Sequence, residues 1–367
     1  MDLLSAVGGG TGIMVLAAIS SYRKTRKARR PAQPADSNRS IDPAAYGMVP
    51  IGRVDTTRAA AGSEGEAVAA AALGGDWRTA SAYLHSAGTN WDLRWHRLGY
   101  LAEAAAQDDS WVRAWQAEQP YDPGAALVHA DGLISLAGNL RGSQNARHTS
   151  HEQFEAFHRV LAQARHACDR AVELAPADPT PYVAQLSVAR GLGWSHEEFR
   201  ALWTEIVTRD PYHFGAHTSA LQYWCAKWQG SHELMHGFAQ RAAASAPHGD
   251  LLATLPIFAF FEQKYRDGNE DIYALPTTAP AVDAALRAVA NASPGHYRLP
   301  AIRHMLAYTL ESSGRNAEAV VQFQLIGGFA GGAPWSYFGE PLKVFAATRA
   351  RAVVGWEDAG RPAVAAL

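Results

Sequence analysis

Ala164-x3-Cys168-x2-Ala171-x4-Pro176, Trp203-x2-Ile206-x4-Pro211 and Ala239-x2-Ala242-x4-Pro247 are copies of one phrase that recurs about every 35 residues. Small or apolar residues three and four apart share one helix face, and the proline that follows ends the helix, because the residue before a proline is pushed out of the α conformation. A period in the mid-thirties closed in this way is what stacked helix pairs write into a sequence, since one pair alone cannot bury its apolar face. The expected fold is therefore all-α, a solenoid of antiparallel helix pairs.

The bulk composition agrees. The chain has 367 residues, 48% of them apolar and 19% charged, enough for a sizeable core. A formal net charge of -2 gives no basic excess, so nucleic acid is not expected as a partner. The two cysteines, Cys168 and Cys225, are far apart and form no CxxC pair, which excludes a disulfide framework and a thiolate zinc cluster of ordinary spacing.

The amino end reads differently. Leu3 to Ile19 carries no charge, and Arg23, Lys24, Arg26, Lys27, Arg29 and Arg30 follow at once. As a helix these residues span about 26 Å, close to the roughly 30 Å of a hydrocarbon core. The basic block lies after the apolar run, the reverse of a secretory signal, and positive-inside reasoning leaves the body on the cytoplasmic face. Residues 1–22 are thus expected to span or lie on the membrane, with contact through residues 1–30, and Gly8-x3-Gly12 would let two such helices approach closely. Residues 23–64, the basic block and then a Pro, Ala, Ser, Asp and Gly mixture, read as a flexible linker.

Helix pairs are expected over 65–326. Asp76 suits the cap of a helix through Leu84 with Ala80 at a close approach; Trp91 to Ala106, Ser110 to Gln116 and Gly124 to Gly138 follow. Gly142 to Asn145 marks an inserted loop, with a lengthened helix after Ser150. Later helices are expected over Ala281 to Ala292 and Glu340 to Val354.

The cleanest unit is Leu306-Ala307-x2-Leu310-x3-Gly314-x3-Glu318-Ala319-x3-Phe323. It resembles the tetratricopeptide repeat (TPR) family, with small residues at the helix contact, Gly314 at the turn, and Leu310 and Phe323 in the seam. Arg303 stands at the family's first aromatic position, and Gly331 where its closing proline would be. The stretch from Lys227 to Met235, with Phe238 and Ala239, resembles the signature of an uncharacterised actinobacterial family of TPR-like proteins. The resemblance implies an α-solenoid that binds a protein or peptide partner through a groove, and no enzyme. Neither a cofactor nor a metal is implied.

The alternative is an enzyme. His232-Glu233-Leu234-Met235-His236 is an HExxH string, which on a helix sets His232 and His236 one turn apart as zinc ligands and Glu233 nearby as the base of a metallopeptidase. Against it, Ser150-His151-Glu152 and Ser195-His196-Glu197 repeat the start of the phrase without the second histidine, as serine N-caps with glutamate in the first turn do. No glycine and histidine follow in metzincin order, and Glu262 is a third ligand by sequence distance only. His213 and His217 form another one-turn pair, which would need His232 and His236 beside it to make a four-histidine site.

Two aromatic clusters are candidates for partner contact: Tyr223, Trp224 and Trp228, and, in the glycine-rich stretch that opens residues 327–367, Trp335, Tyr337 and Phe338. Aromatics at helical spacing more often fill a core. The second cluster either caps the apolar end of the helix array, with a last helix behind it, or closes over a bound peptide.

Overall fold

A computed structural model describes residues 41–62, 64–142 and 150–363. The described residues form fifteen α-helices joined by turns and short 3-10 segments, and the one strand-like feature among them is an isolated bridge between Asp55 and Phe329. The all-α expectation therefore holds. The apolar segment and basic block of residues 1–30 lie outside the described residues, and so does most of the inserted loop after Gly142. No helix among the described residues is long and apolar enough to cross a membrane.

The chain divides into two compact units at Ala246 and Pro247. The central unit, from residue 62 to 246, holds α1 (Glu64–Leu73), α2 (Trp77–His85), α3 (Trp91–Gln107), α4 (Ser110–Glu118) and α5 (Pro123–Arg141). It continues with α6 (His151–Leu174), α7 (Thr180–Leu192), α8 (His196–Arg209), α9 (Phe214–Tyr223) and α10 (His232–Ser245). The composite unit joins residues 41–61 to α11 (Leu255–Asp267), α12 (Thr278–Asn291), α13 (Leu299–Ser312), α14 (Asn316–Ile326) and α15 (Pro341–Asp358). This partition differs from one repeat domain over 65–326, since the last pairs group with residues 41–61 and the carboxyl end.

Within the central unit the repeated phrase becomes a buried stripe. Ala164, Cys168 and Ala171 on α6, Ile206 on α8 and Ala239 on α10 are all 0% exposed. Pro176, Pro211 and Pro247 each stand two residues past the end of α6, α8 and α10, and Ala175, Asp210 and Ala246 before them all leave the α conformation. The helix starts follow the serine reading. Ser150, Ser195 and Ser231 accept the backbone N–H of Gln153, Glu198 and Leu234, and the first two complete reciprocal capping boxes. Asp76 caps α2 through the N–H of Thr79.

Helices α1, α3, α5, α7 and α9 pack each against the next, with α6 against α5 and α7, α8 against α7, and α10 against α9. Helix α3 departs from nearest-neighbour stacking by also packing on α7 and α9. Two polar contacts fix it there. Asp92 Oδ1 accepts the N–H of Gly215 in the first turn of α9 at 2.8 Å. Arg94 Nε lies 2.9 Å from Asp178 Oδ2, with both side chains 6% exposed, and Asp178 Oδ1 accepts the Thr180 N–H that opens α7 at 2.7 Å.

In the composite unit α13 and α14 form the cleanest pair. Ala307, Ala319, Leu310 and Phe323 are 0% exposed, and Gly314 makes the turn with φ +76°. Residues 41–61, expected as flexible linker, are laid across these helices instead. Arg349 Nη1 donates to Val49 O at 2.8 Å, Gln324 Nε2 to Tyr46 O at 2.8 Å, and His304 Nε2 to Ala59 O at 2.9 Å. The Gly331 N–H donates to Arg58 O at 2.8 Å, and a Cβ on Gly331 would sit 2.3 Å from Arg58 N. That close passage explains glycine where the repeat pattern closes with proline.

Candidate functional site

The first aromatic cluster forms where α8 and α9 meet the turn after α9. Tyr223 is 0% exposed, stacks on Phe199 with ring centroids 3.6 Å apart, and donates its hydroxyl to Trp194 O at 2.7 Å. Trp224 is buried edge-on to His196 at 4.9 Å. Trp228 is half-buried, with the guanidiniums of Arg190 and Arg141 5.5 and 5.8 Å from its ring. Of the three, only Trp228 keeps substantial surface. Arg141 and Arg190 are themselves buried, and Arg141 Nη1 has no hydrogen-bond partner among the described residues. No sequence spacing connects the two arginines to Trp228, because they sit on α5 and α7 and only packing brings them to one indole.

The HExxH string occupies the first turn of α10, immediately after the Ser231 cap. Glu233 is exposed there, and His232 and His236 are half-buried. Glu262 lies in the composite unit, buried, and accepts the Tyr337 hydroxyl at 2.7 Å. His217 donates Nδ1–H to His213 O at 2.9 Å, and burial brings its pKa down to about 4, so it is neutral. Among the described residues no group of three or more His, Cys, Asp or Glu is placed to hold a metal ion.

The second cluster turns inward. Trp335 is 0% exposed, donates Nε1–H to His304 Nδ1 at 2.9 Å, and meets Phe345 edge-on at 5.2 Å. Tyr337 is 3% exposed, and its carbonyl accepts the Tyr265 hydroxyl at 2.8 Å. Phe338 is half-buried beside Tyr308 and Lys264. These contacts bury Trp335 and Tyr337 inside the composite unit and leave Phe338 partly exposed.

Two cavities stand apart from all of these residues. One, of about 310 Å³, lies in the central unit between the end of α3, α4 and α5, beside His129, Asp108 and Asp109. The other, of about 260 Å³, lies between α12, α13 and α14.

A carboxylate pair also escaped the sequence. Glu103 of α3 and Asp131 of α5 are both pushed up to about 7, chiefly by burial, and the Asp131 charge adds to the shift at Glu103. Raised carboxylate pKa values mean that the native state binds more protons than the unfolded chain between about pH 4 and 7, so this pair lowers stability as pH rises through that window. Asp131→Asn is therefore expected to gain stability over the unaltered chain as pH rises from 4 to 7, levelling off at on the order of 4 kcal/mol above its value at pH 4. Urea unfolding followed at each pH measures this, and a difference independent of pH would show that Asp131 is ionised and solvated.

No protein-family model, no curated protein and no solved structure matches this chain. The reading of its function therefore rests on its own residues.

Proposed function

We propose that the chain is a non-enzymatic interaction scaffold, a TPR-like helical-repeat protein that binds a protein or peptide partner. The observation that supports this is the way the composite unit holds residues 46–59. Side chains of α13, α14 and α15 donate to main-chain carbonyls of that segment, at Ala59, Tyr46 and Val49, a mode of grip that does not depend on the segment's side chains. A helical surface that holds its own backbone so is chemically equipped to hold another. The row of odd-numbered helices in the central unit offers a second face built from paired helices. Attachment to the cytoplasmic face of a membrane through residues 1–30 belongs to the same reading and rests on the charge pattern alone.

Selection of a random-peptide display library on the immobilised full-length chain is expected to enrich a shared short motif, whose synthetic peptide then binds saturably in fluorescence anisotropy. Failure to enrich any motif would count against the scaffold. If the purified chain instead carries about one zinc and cleaves peptides, with cleavage lost in Glu233→Gln and zinc lost in His236→Ala, the metallopeptidase alternative takes its place.

A further inference from the structure

Residues 46–59 are held in the composite unit as a ligand is held. A row of donors meets them: Gln324 Nε2 at Tyr46 O, Arg349 Nη1 at Val49 O and His304 Nε2 at Ala59 O, with the Ala330 and Gly331 amides reaching Asp55 O and Arg58 O. Arg349 is 1% exposed, and among the described residues its one hydrogen bond is the one to Val49 O. Glycines keep the groove open. A Cβ would sit 2.3 Å from Arg58 N if placed on Gly331, and 2.9 Å from Ala59 Cβ if placed on Gly332.

The segment itself is lightly anchored. Of residues 41–61 only Met48 is buried, at 3% exposed, whereas α13 alone buries Ile302, Met305, Leu306, Ala307 and Leu310. A stretch with so few buried apolar side chains opens locally at a fraction of the global unfolding free energy. Its path into the groove depends on one glycine: Gly47 ends the turn Pro43–Tyr46 in the left-handed conformation, at φ +69°. Opening uncovers the donors and the space that Met48 vacates. We infer that this groove is the partner-binding surface of the composite unit, and that residues 46–59 are its internal competitor. The partner it fits is a segment of another protein with an unbranched apolar residue in the place of Met48 and main-chain carbonyls in the places of Tyr46, Val49 and Asp55. The inference rests on the scaffold reading and gives it a site and a brake. Because the groove is available only in the open fraction of molecules, docking of residues 46–59 lowers the observed affinity for the partner by that fraction.

A labelled peptide with the sequence of residues 42–60 is the probe, read by fluorescence anisotropy against the full-length chain. Gly47→Val in the chain strains only the resident copy, since a β-branched residue is excluded from that backbone conformation, and is expected to tighten probe binding about tenfold or more over the unaltered chain. A probe carrying Met48→Asp should bind at least about tenfold more weakly, because its charge would enter an apolar space. Gly331→Val in the chain, where a side chain collides with Arg58 N of resident and probe alike, should abolish binding. Hydrogen exchange on the unaltered chain tests release without any variant: the Ala330 and Gly331 amides are expected to exchange at least about tenfold faster than those of α13. Exchange as slow as in α13, equal affinity of Gly47→Val and the unaltered chain, or equal affinity of the two probes each overturns the inference. Dimerisation of Gly47→Val that the probe dissolves also overturns it, by giving the groove to a second copy of the chain. A library motif that does not compete with the probe leaves the scaffold standing and removes this groove; no motif and no probe binding removes both.

Discussion

Replacing His304 with phenylalanine is expected to destabilise the composite unit by about 3 kcal/mol, since two buried polar groups lose their partners at about 1–3 kcal/mol each. The imidazole is 0% exposed and joins two parts of the chain that are far apart in sequence. The Trp335 indole N–H is a donor only, so His304 Nδ1 must be the acceptor, and Nε2–H donates to Ala59 O. Phenylalanine fills the volume and leaves the indole N–H and the carbonyl unmade. The urea midpoint of this unit should fall at constant m, and the Ala330 and Gly331 amides, which bond to Asp55 O and Arg58 O, should lose hydrogen-exchange protection. An unchanged midpoint would mean that residues 41–61 are not anchored through this ring.

The same histidine sets an acid limit. Burial brings its pKa down to about 4, against 6.5 for the free side chain. Between those values the unfolded chain binds the proton and the native one does not, so the contribution to stability is complete above about pH 6.5 and is lost as pH falls toward 4. The loss amounts to roughly 3 kcal/mol, and it is absent from His304→Phe. The central unit carries a matching limit at His217, also brought down to about 4.

Asp178→Asn is expected to cost the central unit about 3–5 kcal/mol. Asparagine keeps an oxygen to accept the Thr180 N–H, so the start of α7 stays capped, but Arg94 is left as a charge in a site only 5% exposed. The double variant Arg94→Met with Asp178→Asn should recover most of that loss, because a well-packed apolar side chain is often equal to a buried ion pair. A single variant that unfolds at the unaltered midpoint would show that the pair is solvated. A double variant no better than Asp178→Asn would show that Arg94 acts by its packing and its reach to Leu84 O.

The helix boundaries were legible because they are local. Serine before α6, α8 and α10, proline after them, and Asp76 before α2 act on backbone groups within a few residues. Expected spans met observed ones closely at α3, Trp91–Gln107, and α15, Pro341–Asp358. Small residues at 307 and 319 likewise marked a close helix approach that the structure contains. The aromatic clusters were legible as aromatic and not as inward or outward. Tyr223, Trp335 and Tyr337 became interior, while Trp228 kept a face beside two arginines that no spacing rule connects to it.

The sequence by itself determined where helices begin, end and turn, and which stripe of each is apolar, because capping, proline sterics and one-turn periodicity are interactions between near neighbours. Only the tertiary structure decided that Asp92 meets α9, that Ala59 meets His304, that Asp131 is buried close enough to raise the pKa of Glu103, and that a cavity forms between α12, α13 and α14. Those outcomes depend on which apolar stripes find each other. Burial is non-directional and sums many weak contacts between residues distant in the chain, so no short pattern records the partner, and the charge state of a group follows only once its neighbours have excluded water.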